Sequence, residues 1–465
     1  MLALFLVAGS LKYTLVCVLQ GAALLPHTAV IDIHLVSQSQ PTHQRRYAAL
    51  TALLVLRYDA LLLQEVSMLH AVILYSVGSP ESLTKSCLRS FIGHFLSDRH
   101  VVKMPAFLWQ PILRSFILPT RPNRLLQRYE QIFVEDQNPY LTAMHNLCAN
   151  LEAYLNEQQY IKHEATSVQA AACAALALQA HDSGDNASFL AAYGDSPDLG
   201  PSVPQYVVRS AFAYTGEGLA KVIRKCAADK ADEITVIPLF PQFSYTTTQQ
   251  PANIVAQLQK EVGSTRIHLV RSFASHPLYI RALSTKLQEG LMQVLKDNGH
   301  GDGSPSDTLK QSHVHVLLTY HSLPQSYVRM GDPYVEECAA TTQALVTALG
   351  LEQSPHLSVA YQSKMGPMPW LRPYLEDEVE SLLNKGVQHL IVMAPGFSLD
   401  CLETLYDINI KLRELFVHRG GDSFTYIPAL NDSAAQVQLL SHLVLHPSTC
   451  DATVTTTTPQ PHTQA

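Results

Sequence analysis

Apolar and polar positions divide most of this chain into blocks of two kinds. Longer blocks have the spacing of apolar residues that is typical of helices. Shorter runs, rich in β-branched and apolar residues, predict buried strands at 71–75, 234–239, 267–270, 314–319 and 390–394. Strands that alternate with helices in this way predict parallel sheets with covering helices.

Two polar segments directly follow the last two of these strands. The segment 319–324 (Thr-Tyr-His-Ser-Leu-Pro) places His321 at a strand's carboxyl end. The segment 395–405 (Pro-Gly-Phe-Ser-Leu-Asp-Cys-Leu-Glu-Thr-Leu) places Glu403 at the start of a helix, and Asp407 follows four residues later on the same face. Open α/β sheets bind ligands at the carboxyl ends of their strands. A histidine that faces carboxylates can accept protons and hold a divalent metal, so the pattern predicts a site for such chemistry.

Both segments closely resemble motifs of the ferrochelatase family, whose members insert ferrous iron into a porphyrin. The resemblance continues through 361–371 (Tyr-Gln-Ser-Lys-Met-Gly-Pro-Met-Pro-Trp-Leu), 238–244, 77–81 and 95–99, and it covers roughly 72–445. It implies an α/β fold of two similar doubly wound (Rossmann-like, chelatase-type) domains, with parallel sheets and an active cleft between them.

The resemblance also implies a division of the chain into domains and flanking segments. The expected parts are an extension at 1–70 that is a candidate targeting or membrane-association segment, an N-terminal chelatase domain at 71–240 with an insertion at about 158–205, a C-terminal chelatase domain at 241–414, a helix returning to the first domain at 415–446, and a disordered tail at 447–465.

The extension begins with about 26 almost wholly apolar residues, with Lys12 near the middle of the run. A lysine at the centre of a membrane-spanning helix costs about 2.5 to 3.5 kcal/mol on insertion scales. A span is therefore disfavoured, while a removed presequence, an interfacial anchor and a poorly ordered extension all stay open. Ferrochelatases handle a poorly soluble product and often associate with membranes. The resemblance thus favours peripheral association with the mitochondrial inner membrane, with a cytoplasmic location as the alternative.

Composition narrows the class of protein. The 465 residues are 47% hydrophobic and 15% charged, which is typical of a globular protein with a large core. The formal net charge is −7, and no run of lysine and arginine is dense enough to follow a phosphate backbone. Nucleic acid is therefore not an expected partner.

The eight cysteines are scattered and include no Cys-x-x-Cys pair, so neither a disulfide framework nor a zinc site is predicted. Animal-type relatives hold an iron–sulfur cluster on one cysteine near the 238–244 motif and on a cysteine cluster in the tail. Here Tyr245 stands at the first position, and the tail has only Cys450. The chain therefore resembles bacterial members without an iron–sulfur cluster, and no tightly bound cofactor is expected.

Metallation of a porphyrin requires the removal of two pyrrole protons and transient ligands for the iron. The resemblance assigns His321 as the proton acceptor, a role that suits an imidazole because it can be neutral at working pH. Glu403 would face it across the porphyrin and take part in iron binding or proton relay, with Asp407 as the next carboxylate. These three side chains are the expected iron contacts. Asn409 and Lys411 stand where animal-type relatives have acidic residues, so the resemblance does not extend to a longer carboxylate conduit.

A flat apolar substrate needs apolar walls, and bending it draws on binding energy remote from the reacting nitrogens. Met365, Met368, Pro369 and Trp370 form an apolar ridge in the sequence, and Phe397 follows the catalytic strand. Apolar residues at a strand end more often belong to the core. The resemblance reverses that preference here and assigns Met365, Trp370 and Phe397 to the substrate pocket.

Polar contacts to the substrate are expected from two further regions. Arg121 and Tyr129 match the lip of the family's pocket, and Arg121 can pair with a porphyrin propionate because guanidinium favours bidentate contacts with carboxylates. Gln362, Ser363 and Lys364 are candidates for similar contacts.

One departure from the family pattern concerns the residues after the insertion. Ala213-Tyr214 stands where relatives have an Arg-Tyr pair. Either the alignment shifts here or the pocket lacks one basic residue. Tyr214 is retained as a substrate contact.

The leading hypothesis is a ferrochelatase, a lyase that inserts Fe²⁺ into protoporphyrin IX to form protohaem in the final step of haem biosynthesis. One alternative keeps the chemistry but takes coproporphyrin III or another tetrapyrrole. The alternative outside enzymes is a carrier of porphyrin or haem. The presence of His321 and Glu403 argues against the carrier, since a carrier needs neither a base nor a metal carboxylate.

Overall fold

The structure is a computed structural model. It describes residues 3–6, 14–19, 31–36, 68–99, 101–102, 104–158, 204–297, 309, 313–352, 354–364 and 368–447. The chain divides into two units, Met1–Ser67 and Met68–Ala465. In the first unit three strands pair antiparallel in sequence order: β1 (Ala3–Leu6), β2 (Thr14–Leu19) and β3 (Ile31–Val36). Most of the 1–70 extension lies outside the described residues, so its role stays a prediction.

The second unit begins with a four-stranded parallel sheet. Its order is β5-β4-β6-β7, and its strands are β4 (Leu69–Ser76), β5 (Gln205–Phe212), β6 (Glu233–Pro238) and β7 (Arg266–Leu269). The central strand β4 is buried over all but its first residue. Such a continuous apolar run is characteristic of a parallel strand that is covered on both faces.

A second parallel sheet has the order β11-β10-β8-β9. Its strands are β8 (Val314–His321), β9 (Leu357–Gln362), β10 (His389–Met393) and β11 (Ser423–Ile427). The central strand β8 is buried from its first residue to its seventh, and only its last residue, His321, is partly exposed. Two parallel four-stranded sheets with helices confirm the predicted α/β class.

Helices connect and cover the strands. Those of the described residues are α1 (Lys85–Ser97), α2 (Ala106–Ile112), α3 (Leu118–Glu130), α4 (139–158), α5 (Leu219–Ala228), α6 (Gln249–Leu258), α7 (Pro277–Asp297), α8 (Gln325–Arg329), α9 (Tyr334–Leu349), α10 (Leu375–Asn384), α11 (Leu402–Leu405), α12 (Arg413–His418) and α13 (Ala434–Leu445). Two π-helical segments, Leu113–Ile117 and Asp407–Leu412, join α2 to α3 and lie between α11 and α12. No helix in this part of the chain combines the length and the hydropathy needed to cross a bilayer.

Local chemistry accounts for several helix ends. The Thr84 hydroxyl accepts a hydrogen bond from the Cys87 backbone N–H at the start of α1, and Ser433 caps α13 in the same way. Gly350 ends α9 with a φ of 66°, a left-handed conformation that glycine adopts without steric cost.

Two predicted domain boundaries require correction. The sheet of the first domain continues past residue 240, because β7 pairs with β6. The segment 415–446 is not a helix alone, since β11 lies within it and pairs with β10. The first error arises because a strand's sheet is decided by long-range pairing, which local apolar pattern does not encode. The second arises because half-exposed residues interrupt the apolar run of β11, which was not predicted as a strand.

The last helix lies close to the first domain. Just before α13, the side chain of Asp432 accepts a hydrogen bond of 2.9 Å from the Asn146 amide of α4, and its backbone carbonyl accepts one from Asn150. One continuous hydrophobic cluster includes Leu147 and Leu151 of α4 together with Leu440 of α13. Nearly all of the predicted insertion and of the tail lies outside the described residues.

Candidate active site

The site is built at the carboxyl ends of β8, β9 and β10. In the parallel pairing of β8 with β9, His321 stands opposite Gln362. The next backbone N–H, that of Ser322, donates to the Gln362 carbonyl at 2.8 Å. The segment that begins at Pro395 leaves β10 at the same edge, because β10 pairs parallel with β8. The two segments that the sequence singled out thus lie at one edge of one sheet.

His321 has a defined hydrogen-bonding arrangement. Its Nδ1 lies 2.8 Å from the carbonyl oxygen of Ser322. A carbonyl can only accept, so Nδ1 carries the proton and donates it. In the neutral ring Nε2 then carries the lone pair and can accept a proton. The side chain is half-buried at the end of its strand, where a ligand above the edge can reach it.

Gln362 connects this edge to the segment that carries Glu403. Its side chain is 3% exposed. Its amide Nε2 donates to the backbone carbonyl of Glu403 at 3.1 Å, and its Oε1 accepts from the Thr319 hydroxyl at 3.2 Å. The sequence pointed to Gln362 as a substrate contact, whereas these bonds give it a supporting position between the histidine and the glutamate.

Glu403 lies in the short helix α11, which starts after Cys401. The Cys401 backbone N–H donates to the Thr404 hydroxyl at 3.0 Å, and this hydroxyl donates to the Asp400 carboxylate at 2.8 Å. The turn is therefore closed by hydrogen bonds on both sides of Glu403, while the Glu403 side chain is partly exposed.

The first domain meets this turn through Tyr129 of α3. Tyr129 is 5% exposed and belongs to one hydrophobic cluster with Leu402 and Leu88. Burial raises the pKa of Tyr129 well above its ordinary value, and the charge of Glu403 raises it further. The tyrosine therefore stays protonated, and its hydroxyl is hydrogen-bonded with the side chain of Ser79.

Asp407 is the first residue of the π-helical segment after α11. Desolvation raises the pKa of Asp407 to about 6, and the charge of Glu403 adds to the rise, whereas Arg128 and Lys411 oppose it. Arg128 lies 3.6 Å from the Asp407 carboxylate and over the ring of Tyr406. Asp407 thus exchanges protons near neutral pH, which suits a carboxylate that passes on protons or cations.

Arg128 is a residue that the sequence reasoning missed. It lies on the same helix as Arg121, two turns further on, so the spacing of the two arginines was the available signal. Desolvation and the neighbouring Arg128 lower the pKa of the Arg121 guanidinium from its ordinary value. The two guanidinium groups thus influence each other electrostatically at the predicted pocket lip.

A groove of about 890 Å³ lies beside Asp407, between α10 and the π-helical segment with α12. Its charged lining includes Glu376, which pairs with Lys411 at 3.4 Å. Glu380, Glu414 and His418 also line it. Lys411, which departs from the acidic pattern of animal-type relatives, is therefore neutralised by a glutamate from another helix.

Three other predicted substrate contacts come from both domains. The Tyr214 hydroxyl donates to Asp98 at 2.8 Å, so it is held by the first domain. Trp370 is 5% exposed and pairs by an isolated bridge with Pro324. Phe397 is half-buried against the core of the second domain. Trp370 therefore borders the segment that follows His321.

The residues after Gln362 have an unusual conformation. Ser363 adopts a φ of 66°, and its hydroxyl is buried without a hydrogen-bond partner among the described residues. Lys364 is exposed, with its Nζ 4.0 Å above the ring of Tyr374. Met365, also predicted as a pocket residue, lies outside the described residues. A non-glycine residue with positive φ is strained, which is most common at functional sites.

No group of three or more His, Cys, Asp or Glu side chains is placed to hold a metal ion in the described ranges. The site instead combines one imidazole, two carboxylates in succession and two guanidiniums at the junction of two domains. Such a set of groups can accept protons and offer carboxylate oxygens to a cation.

Comparison with known proteins identifies the family of this chain. The family model for ferrochelatase matches residues 69–177 and 197–447. A ferrochelatase of Edwardsiella ictaluri is 35% identical over 376 residues, which cover 81% of this chain and 97% of that protein. A coproporphyrin III ferrochelatase of Streptococcus mutans is 33% identical over 374 residues, with 80% and 97% covered.

Among solved structures, the cobalt complex of the sirohydrochlorin chelatase SirB from Bacillus subtilis subspecies spizizenii is similar with a TM-score of 0.39 and 11% identity. The match covers 82% of this chain and 98% of that chain.

The protein is a chelatase, and the chain belongs to the ferrochelatase family. The predicted resemblance is confirmed. Membership in this family implies a porphyrin and iron as substrates. The relatives named above are bacterial, and they lend no support to the expected mitochondrial location.

Proposed function

We propose that this chain inserts Fe²⁺ into protoporphyrin IX and releases protohaem, the final step of haem biosynthesis. The reaction replaces two pyrrole protons by the metal ion, so the enzyme has to accept two protons for each turnover. The observation that carries the proposal is the link from His321 to Glu403. The imidazole stands opposite Gln362, and the Gln362 side chain binds the backbone of Glu403.

In this mechanism His321 accepts one pyrrole proton at a time on Nε2, because Nδ1 is engaged with the Ser322 carbonyl, and it releases the first proton before it accepts the second. Glu403 and Asp407 offer oxygens to the iron and take protons onward. The raised pKa of Asp407, about 6, allows it to release such protons at neutral pH. His321, Glu403 and Asp407 are thus the proposed contacts of iron.

The porphyrin would lie between the two domains at the carboxyl edges of their strands. Proposed apolar walls are Trp370, Phe397 and Met365. Proposed polar contacts are Arg121, Tyr129, Tyr214, Ser363 and Lys364, while Gln362 supports the turn that carries Glu403. A propionate suits the two arginines of α3, since guanidinium and carboxylate form charge-assisted hydrogen bonds.

Protoporphyrin IX is proposed over coproporphyrin III because coproporphyrin carries four propionates and protoporphyrin two. The predicted walls near the site are largely apolar, and additional carboxylates would lose hydration there without a partner. The ferrochelatase of Edwardsiella ictaluri and the coproporphyrin III ferrochelatase of Streptococcus mutans are comparably similar to this chain, at 35% and 33% identity. Substrate choice therefore needs a direct measurement.

The test is turnover of purified full-length protein with Fe²⁺ and each porphyrin under anaerobic conditions. We expect kcat/KM for protoporphyrin IX to exceed that for coproporphyrin III by at least about tenfold, a difference of about 1.4 kcal/mol. Higher turnover with coproporphyrin III would reverse the substrate assignment. Binding of either porphyrin without turnover of either would favour the carrier.

We further propose peripheral membrane association through α2 and the π-helical turn that follows it. Five apolar side chains there are at least 41% exposed: Met104, Phe107, Leu108, Ile112 and Phe116. Residues 104–129 include four arginines and no acidic residue. An exposed apolar surface in a segment that carries these arginines fits the interface of an anionic bilayer.

Sedimentation with vesicles tests this surface. We expect the protein to bind vesicles that contain phosphatidylglycerol, and Phe107→Ser with Phe116→Ser to abolish binding. Val417→Ser, which alters an exposed apolar residue elsewhere, should leave it intact. Equal sedimentation of the double variant and the unmodified protein would exclude this surface. For the location of the protein in its cell, the mitochondrial inner membrane and the cytoplasm stay the two hypotheses.

A further inference from the structure

The carboxylate of Asp400, three residues before Glu403, is bound by three side chains. Its Oδ1 accepts from the Tyr426 hydroxyl and from the Thr404 hydroxyl, the latter at 2.8 Å. Its Oδ2 accepts from the Asn431 amide at 2.8 Å. Asp400 is only 7% exposed. A buried carboxylate is stable in a fold when several donors replace its lost hydration, and these donors do so.

One of the three donors belongs to the helix that carries Glu403. The Thr404 hydroxyl donates to Asp400 and accepts from the backbone N–H of Cys401 at 3.0 Å. A shift of the Asp400 carboxylate would therefore move Thr404, and with it Cys401, the residues that close the turn around Glu403. Gln362 holds the Glu403 carbonyl from the opposite side, so the backbone at Glu403 is attached to two separate parts of the sheet.

The other two donors come from the segment at the end of β11. Asn431 binds the Ser398–Asp400 stretch three times: its N–H donates to the Ser398 carbonyl at 3.0 Å, its Oδ1 accepts from the Asp400 N–H at 2.8 Å, and its amide donates to the Asp400 carboxylate. Asn431 has a φ of 51°. This left-handed conformation is uncommon outside glycine, and asparagine is among the residues that tolerate it. This strained backbone conformation persists because the three hydrogen bonds of Asn431 hold it in place.

We propose that Tyr426 and Asn431 are positioning residues that act on Glu403 through Asp400. The inference rests on the proposed role of Glu403. The oxygens of Asp400 are already engaged with donors, so Asp400 anchors the turn and does not collect pyrrole protons. A carboxylate that receives iron during a reaction has to be held to a fraction of an ångström, since small misplacements cost large factors in rate.

Two conservative changes test the inference. Tyr426→Phe removes one hydroxyl and keeps the ring, and Asn431→Gly keeps access to positive φ while removing the amide. Ser423→Ala is the matched control. It removes a hydroxyl at the other end of β11, where Ser423 lies 2.9 Å from His389. Turnover with Fe²⁺ and protoporphyrin IX, porphyrin affinity by fluorescence quenching, and urea unfolding are measured for each.

We expect Tyr426→Phe and Asn431→Gly to lower kcat by about tenfold or more, because the carboxylate loses its alignment. Porphyrin affinity should change by less than about twofold, since the proposed walls are untouched, and a purely structural role would not separate these two quantities. In a Glu403→Gln background, Tyr426→Phe should have no further effect, because the residue acts through Glu403.

Three outcomes decide the matter. If Glu403→Gln lowers turnover strongly while Tyr426→Phe and Asn431→Gly match Ser423→Ala, the positioning role is wrong and the proposed function stands. If Tyr426→Phe lowers kcat equally with and without Glu403→Gln, it does not act through Glu403 and the inference is also wrong. If Glu403→Gln retains normal turnover, the proposed role of Glu403 fails, and this inference fails with it.

Discussion

The side-chain amide of Gln362 donates a hydrogen bond of 3.1 Å to the backbone carbonyl of Glu403, forty-one residues further along the chain. Gln362 also stands opposite His321 in the pairing of β8 with β9. A single side chain therefore joins the strand end that carries the candidate base to the turn that carries the candidate carboxylate.

Removal of this bond should reduce catalysis more than stability. We expect Gln362→Met, which keeps length but has no amide, to lower kcat by about tenfold through misalignment of Glu403. Gln259→Met is the control, because Gln259 also bridges two backbone groups, at Thr265 and Ile267, but in the first domain. Steady-state kinetics and urea unfolding of both variants check this. A similar loss of turnover in Gln259→Met would indicate a general packing effect.

Loss of the base should be more severe. We expect His321→Ala to lower turnover by at least about a hundredfold, the usual scale for general-base catalysis, while porphyrin binding survives. Glu403→Gln should lower turnover strongly and change its dependence on the metal. The double variant should lose less than the sum of both losses, expressed as free energies, if both groups serve one reaction coordinate.

The control for the histidine is His389→Ala. His389 is the first residue of β10, at the amino end of the strands and so opposite to the site in the same sheet. Its turnover should stay close to that of the unmodified enzyme. Near-normal turnover of folded His321→Ala or Glu403→Gln would refute the proposed roles while leaving the fold unaffected.

The raised pKa of Asp407 predicts a pH-dependent stability. Between its ordinary value of 3.8 and its folded value of about 6, the folded state binds a proton that the unfolded state has released. Stability from this group therefore falls as pH rises through that window and stays low above it. We expect Asp407→Asn to gain about 1 to 2 kcal/mol of unfolding free energy relative to the unmodified protein at pH 7, and progressively less toward pH 4.

Urea unfolding at several pH values between 5 and 8 measures this difference. Asp377→Asn, at an exposed position of α10, is the control variant measured in parallel. An Asp407→Asn gain that is independent of pH across this range would contradict the assignment.

The extension should be dispensable for chemistry. The match to the family starts at residue 69, where β4 begins. Among the described strands, those before β4 do not pair with the sheet that β4 forms with β5, β6 and β7. We expect deletion of residues 1–64 to leave turnover within about twofold, since none of the proposed site residues is removed. A truncated protein that unfolds cooperatively yet has lost turnover would place the extension in the active site.

Purified protein should carry no iron–sulfur cluster. The described cysteines Cys87, Cys148, Cys226, Cys338 and Cys401 are free thiols, and no metal-binding group of three or more side chains lies among the described residues. Burial, with the charge of Glu403, raises the pKa of the Cys401 thiol, which disfavours the thiolate that a cluster needs. Visible absorption and acid-labile sulfide check this. Stoichiometric sulfide, with iron retained through gel filtration, would overturn it.

Local pattern determined a large part of this protein. Strands β4, β6, β8 and β10 are almost wholly buried, so their apolar runs were visible in the sequence. The motifs around His321 and Glu403 follow two of them, and the family of the chain could be inferred from these motifs without coordinates. Strands β5, β9 and β11 were not predicted, because half-exposed residues interrupt their apolar runs. All three lie at sheet edges, although the fourth edge strand, β7, was predicted.

Only the tertiary structure decided how the site is held together. The contacts of Arg128 with Asp407 and of Asn431 with Asp400 join residues distant in the chain. So does the bond from Gln362 to Glu403. A local pattern reports which residues avoid water, because burial is a property of each position. It does not report which polar groups meet, because partners are chosen by strand register and domain packing.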